Sequence, residues 1–86
     1  MNKNKITANP KKSRLKIAEA IKTLRKASGL TQKELCEKTG VRQATIVDIE
    51  AGRNCTINTL IIVAEAIGGT VEISTFLKRH IAYKAK

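Results

Sequence analysis

The segment Leu30-Thr31-Gln32-Lys33-Glu34-Leu35 constrains this chain more than any other stretch. Its T-x-x-E spacing is that of a capping box, in which the Thr31 hydroxyl accepts from the Glu34 amide and the Glu34 carboxylate reaches back. Leu30 and Leu35 hold the two positions of a hydrophobic staple over the same helix start. Gly40 follows Thr39 and supplies the left-handed backbone that ends a helix. The helix so bounded has only about two turns, too short to stand without packing against others.

Neighbouring segments supply those partners. Ile17, Ala18, Ile21 and Leu24 recur at three- and four-residue steps, which predicts a helix from about Arg14 to Ala27 with Ser13 as its cap and Gly29 as its stop. A third helix is expected from Gln43 to about Ala51, ending at Gly52. Ile46 and Ile49 would point inward with Val41, and Gln43, Ala44, Val47 and Asp48 outward. Thr56 caps a fourth helix whose inner face is Leu60, Val63, Ala64 and Ile67, with Gly68-Gly69 at its end. Thr70 to Ser74 alternates polar and apolar, the pattern of a short strand, and residues 75–84 could form one more short helix. The expected organisation is a flexible basic arm (1–13), a helical domain (14–69) and a strand with a short helix (70–86) as a dimerisation extension.

Charge narrows the partner. Seventeen Lys and Arg against seven Asp and Glu give a net +10, which points to a polyanion. The basic groups lie towards the two ends: residues 1–30 carry +8, residues 31–69 carry −1 and residues 70–86 carry +3. Tyr83 and Phe76 are the sole aromatics, so a single-strand binder that stacks bases on rings is disfavoured. Duplex DNA needs no aromatics. The longest apolar run, Leu60 to Ala64, falls far short of the ~20 residues that cross a bilayer, and no apolar stretch follows the lysine-rich start. A membrane-surface peptide is disfavoured because the apolar face of the first helix is needed for the core.

Catalysis and metal binding find no pattern. Cys36 and Cys55 are nineteen residues apart with one histidine, His80, and no second CxxC, so no metal-ligand spacing exists and no cofactor is expected. Both read as reduced cytoplasmic thiols, Cys36 filling a small core site and Cys55 lying in a loop. No nucleophile–base pair and no phosphate-binding glycine loop is present, so the chain does not read as an enzyme.

Two short helices joined by Gly40-Val41-Arg42 and flanked by two more form a helix-turn-helix. The second helix must be short and free of bulky outward side chains to enter a major groove about 12 Å wide. Gln43 and Ala44 meet that need, since Gln can bond adenine through both amide groups and an Ala methyl can pack on thymine.

The stretch Ile21 to Ile67, IKTLRKASGLTQKELCEKTGVRQATIVDIEAGRNCTINTLIIVAEAI, resembles the Cro/C1-type, or XRE, helix-turn-helix family. The shared features are IxxLR, G-L-T-Q-x-E-L, a Gly-Val turn, Q-x-T-I, I-E-x-G and T-L-x-x-x-A-x-A-I. G-V-R-Q-A-T-I followed by a strand resembles the HipB-type antitoxin repressors within it. The resemblance implies an all-α, lambda-repressor-like bundle of four to five short helices with a short C-terminal β-strand. It further implies a cytoplasmic, dimeric, sequence-specific DNA-binding regulator, a repressor first. The alternative is an antitoxin that binds a toxin protein and autorepresses its operon.

By the same resemblance, Gln32 clamps a phosphate and braces the recognition helix. Gln43, Ala44 and Asp48 read bases, with Thr45 and Val47 on the same helix, and Arg53 and Asn54 follow on the backbone-contacting loop. Arg25 and Glu50 match a structural ion pair. Arg42 stands where a Ser or Thr cap is usual; a lost cap costs ~1 kcal/mol, and contact with guanine or a phosphate would offset it. Asp48 either accepts from cytosine N4 or bonds an Arg or Lys of the protein, the second being favoured because a carboxylate near phosphates is costly. Ile61, Ile62 and Ala66 leave an apolar patch. With the strand residues Val71 and Ile73, Ile61 and Ile62 would form a homodimer interface over a palindromic operator.

Overall fold

The computed structural model describes residues 7–71, which form four helices: α1 (Pro10–Ala27), α2 (Gln32–Thr39), α3 (Gln43–Glu50) and α4 (Ile57–Ala66). The capping box at Thr31 is present in both directions, with Glu34 N donating to Thr31 Oγ1 at 3.0 Å and Thr31 N donating to Glu34 Oε1 at 2.9 Å. Gly40 ends α2 at φ 75°, a conformation that costs a side-chain-bearing residue roughly 1–2 kcal/mol. Thr56 caps α4 by accepting from the Thr59 amide at 3.2 Å. Arg42 precedes α3 with no side-chain cap, as its residue type dictates.

The first helix starts earlier than its apolar spacing predicts. Asn9, not Ser13, is the cap; its Oδ1 accepts from Lys12 N at 3.1 Å. Pro10 then takes the first helical position, where its fixed φ suits the helix and its missing N–H is not needed. Pro10 to Ser13 therefore belong to α1, and the reading of 1–13 as a flexible arm does not hold for them. Lysines at 11 and 12 carry no apolar periodicity, so the pattern that reveals amphipathic helices was silent there.

Packing follows the short helices. α1 lies against α3, and α2 lies against both α3 and α4. Ile21, Leu35, Ile46, Ile49, Leu60, Val63, Ala64 and Ile67 form one core. Leu35, Ile46 and Val63 are its largest fully buried side chains, each worth roughly 1.5–3 kcal/mol of burial. Leu24, Leu30, Val41, Ala66 and Cys36 pack against its edge. Cys36 is thus half-buried, not a core member, and Ala66 does not join an exposed patch. Ile17 departs from its expected place as well: it is 40% exposed, and the buried residues of α1 are Ala18 and Ile21.

Thr70 and Val71 have no regular secondary structure, and Val71 is exposed. The expected strand beyond Val71, with Ile73, and the helix over 75–84 lie outside the described residues. Among the described residues no helix is long and apolar enough to cross a membrane, and no group of His, Cys, Asp or Glu could hold a metal.

Candidate nucleic-acid interface

Helix α3 has two sides with opposite tasks. Its inner side is held by Ile46 and Ile49 in the core and by Glu50 at its last turn, all three buried. Its outer side shows Gln43, Ala44 and Val47 to solvent, with Thr45 and Asp48 half-buried at the margins. No charged side chain stands among the three outward residues, and none is larger than Gln. A helix of this profile can approach the floor of a groove.

The turn that presents α3 is built from α2. Thr39 Oγ1 donates to Leu35 O at 2.8 Å and accepts from Val41 N at 3.1 Å, so one hydroxyl fixes the chain on both sides of Gly40. Gly40 N donates to Cys36 O at 2.8 Å. Thr39 was not among the expected site residues; its sequence signal is the general tendency of a Thr hydroxyl to bond backbone groups close to it in the chain.

Glu50 fixes the other end. Arg25 Nε donates to Glu50 Oε2 at 2.6 Å and Arg25 Nη2 to Glu50 Oε1 at 3.0 Å, a two-point fork. The third donor, Arg25 Nη1, reaches Leu30 O at 2.7 Å. Gln32 Nε2 adds a bond to Glu50 Oε1 at 3.1 Å. One carboxylate thus ties α3 to α1 and α2, and one guanidinium ties both to the loop before α2. Burial alone would push the Glu50 carboxyl up, but the bonds from Arg25 and Gln32, with the charges of Arg25 and Lys22, hold it below its ordinary value. The pair Arg25–Glu50 stands where the resemblance places it. Gln32, at the start of α2, turns its amide to Glu50 on α3.

Past α3 the chain runs through Gly52 to Arg53 and Asn54, both exposed. Arg53 Nη1 meets Asp48 Oδ1 at 3.0 Å, and Arg53 N donates to Asp48 O at 2.9 Å. The carboxylate on the outer face therefore has an arginine of its own chain as partner. Arg42 is exposed at the entrance to α3.

A contact with no signal in the sequence comes from α1. Arg14 Nε donates to Gly52 O at 2.9 Å, across 38 positions of chain. Arg14 and Arg53 also border a groove of about 220 Å³ lined by Ile17, Ile49, Cys55 and Leu60. Desolvation pushes the Cys55 thiol above its ordinary value.

Of the residues expected at an interface, Ile62 is 47% exposed on α4 and Ile61 half-buried beside it. Both lie on α4, away in the chain from the α3 surface.

Comparison with known proteins gives a concordant result. Residues 21–74, more than half of the chain, match a family described as helix-turn-helix. Among solved structures the chain is similar to the restriction-modification controller protein C.Esp1396I, crystallised as a tetramer in complex with its natural 35 base-pair operator. The two share 28% identity over 85% of this chain and 95% of that one, with a TM-score of 0.59. No curated protein matches the chain in sequence.

Proposed function

The chain belongs to the helix-turn-helix family of Cro/C1 type, and from that premise we propose that it is a sequence-specific regulator of transcription that binds duplex DNA as a homodimer and represses. The observation that carries this reading is the division of α3. Its back is pinned by Glu50 to two other helices, and its front offers Gln43, Ala44 and Val47 without a charge between them.

Each front residue has a chemical task. Gln43 presents a donor and an acceptor to adenine, while Ala44 and Val47 offer methyl groups to thymine. Thr45, at the margin, can bond either a base edge or a phosphate. Arg42, Arg53 and Asn54 flank the helix at both ends and suit phosphates, with Arg42 also within reach of a guanine at the groove edge. Gln32 braces α3 from within, and its remaining amide hydrogen is left for a phosphate. Asp48, paired with Arg53, brings no uncompensated negative charge to the DNA. The net +10 supplies the long-range attraction.

A single short helix gives limited affinity, so two copies reading grooves about 34 Å apart are the economical arrangement. The matched controller protein is itself a multimer on its operator. Of the exposed apolar groups among the described residues, Ile62 and Val71, with the half-buried Ile61, are the ones this reading gives to self-association, and Ile73 follows Val71 two positions on in sequence. We assign that surface to a second copy of the chain; no described contact favours a toxin partner over it.

The reading is tested by selecting bound duplexes from a random pool and measuring affinity against salt. An inverted repeat with half-sites one turn apart is the expected outcome. Sedimentation should give a dimer for the parent chain and a monomer for the Ile62→Asp, Val71→Asp double variant. Selection that enriches no sequence would refute base reading, and a monomeric parent at micromolar concentration would refute the dimer.

A further inference from the structure

We infer that the first turns of α1 are part of the DNA-binding apparatus, with Arg14 and Leu15 as positioning residues that clip the loop after α3. The inference rests on the DNA reading above and extends it to a helix that reading does not use.

Three features meet at Gly52. Its carbonyl accepts from Arg14 Nε at 2.9 Å. It is buried although it lies in a connecting loop, and its φ of 79° is a conformation suited to glycine. Leu15 covers it so closely that an added Cβ would stand 2.7 Å from Leu15 Cδ2. Leu15 is 48% exposed and is not one of the buried residues that form the core, yet its side chain lies directly on Gly52. The next residue in the chain is Arg53, which borders the same groove as Arg14. A loop that carries phosphate-contacting groups loses affinity if it must be ordered at the moment of binding. Arg14 and Leu15 order it beforehand.

The location of the donor makes the proposal separable from a simple charge effect. Arg14 bonds Gly52 through Nε, which follows Cδ in the side chain. In Gln the amide nitrogen also follows Cδ, so Arg14→Gln keeps a donor at the same reach and removes the charge. Arg14→Lys keeps the charge and moves the donor one bond further out, on an ammonium that prefers water. A clip predicts that Gln preserves operator affinity better than Lys; a phosphate attractor predicts the reverse. Losing one such hydrogen bond should weaken operator binding by Arg14→Lys roughly threefold to tenfold. Leu15→Ala, which uncovers Gly52 and alters no charge, should weaken binding in the same direction. In an Arg53→Ala background the effect of Arg14→Lys should shrink, because the group being positioned is gone.

The deciding experiment measures operator affinity and amide hydrogen exchange in the full chain for Arg14→Gln, Arg14→Lys and Leu15→Ala. Faster exchange at the Arg53 amide in the Lys and Ala variants, but not in the Gln variant, supports the clip in the free protein. Matching loss of affinity in the same two variants supports its use on DNA. Equal exchange in all variants overturns the inference, as does an Arg14→Lys variant that binds like the parent while Arg14→Gln does not. A parent chain that binds no duplex would refute the DNA reading instead, and the exchange rates would still decide the clip.

Discussion

Helix α3 carries two acid–arginine pairs, and they could hardly differ more in setting. Glu50 and Arg25 are almost fully enclosed, with side chains 3% and 11% exposed, and the carboxylate accepts from Gln32 as well. Asp48 and Arg53 stand at 47% and 64% exposure and share one contact at 3.0 Å. The chemistry of the two pairs is the same, so the difference in consequence comes from solvent. In the enclosed pair, water cannot replace a missing partner, and each charge depends on the other. In the exposed pair, water and salt can replace either one, and the contact is worth little to stability. The first pair therefore belongs to the fold and aims α3, while the second is free to serve binding.

The sharpest way to break this comparison is to remove one partner of the enclosed pair. Glu50→Ala or Arg25→Ala should cost ~3–5 kcal/mol by stranding the remaining charge, read as a large fall in melting temperature. Acid should do the same work reversibly. Because the folded Glu50 carboxyl titrates below its ordinary value of 4.5, the pair's contribution is complete above that value and disappears as pH falls through the lower, folded one. Glu34, held low first by its bond to the Thr31 backbone and then to its hydroxyl, adds to the same acid limb. Stability measured against pH should thus fall below about 4.5 in the parent and fall less in Glu50→Gln, which cannot titrate there. A Glu50→Gln variant with the parent's full acid dependence would locate the effect elsewhere.

Base reading should show an intermediate effect, and only on the outer side. Gln43→Ala is expected to lose ~1–3 kcal/mol on the selected site and little on random DNA, at unchanged melting temperature. Equal loss on both DNAs would move Gln43 to the phosphate-contacting groups.

The smallest effect on stability belongs to the exposed pair. Asp48→Asn should change unfolding free energy by no more than about 0.5 kcal/mol. Its readout is instead the salt dependence of binding to random duplex. Releasing Arg53 from its carboxylate should add one phosphate contact and steepen the log–log salt slope by ~0.9. An unchanged slope would mean that Arg53 engages phosphate with Asp48 still attached. Selective loss on the operator would show that Asp48 reads a base.

Legibility followed the range of the interaction. Thr31 and Glu34 bond across three positions, and both bonds of that box were readable because helix geometry alone brings the two together. Arg25 and Glu50 are 25 positions apart, and they were placed by resemblance to a family, not by any local rule. Arg14 and Gly52 are 38 apart, outside both the family-matched residues at one end and any local pattern, and nothing in the chain announced their bond. The start of α1 failed for a related reason. Asn9 and Pro10 are a cap and first-turn signal, but without apolar periodicity behind them the lysines read as arm.

By itself the sequence determined where α2 begins and ends and where α4 begins, because a side-chain cap and a glycine stop act through hydrogen bonds and backbone geometry within a few residues. It also determined which side of α3 faces the core, since a helix repeat puts Ile46 and Ile49 on one side whatever lies opposite. Only the tertiary structure decided how far the carboxylates of Asp48 and Glu50 lie from water. They are two positions apart on one helix, and their sequence context barely distinguishes them. Burial depends on what packs across from a residue. The chain segments that enclose Glu50 come from α1 and α2, whereas Asp48 meets the exposed Arg53 of the loop after α3, so one acid became a structural tie and the other stayed in reach of water.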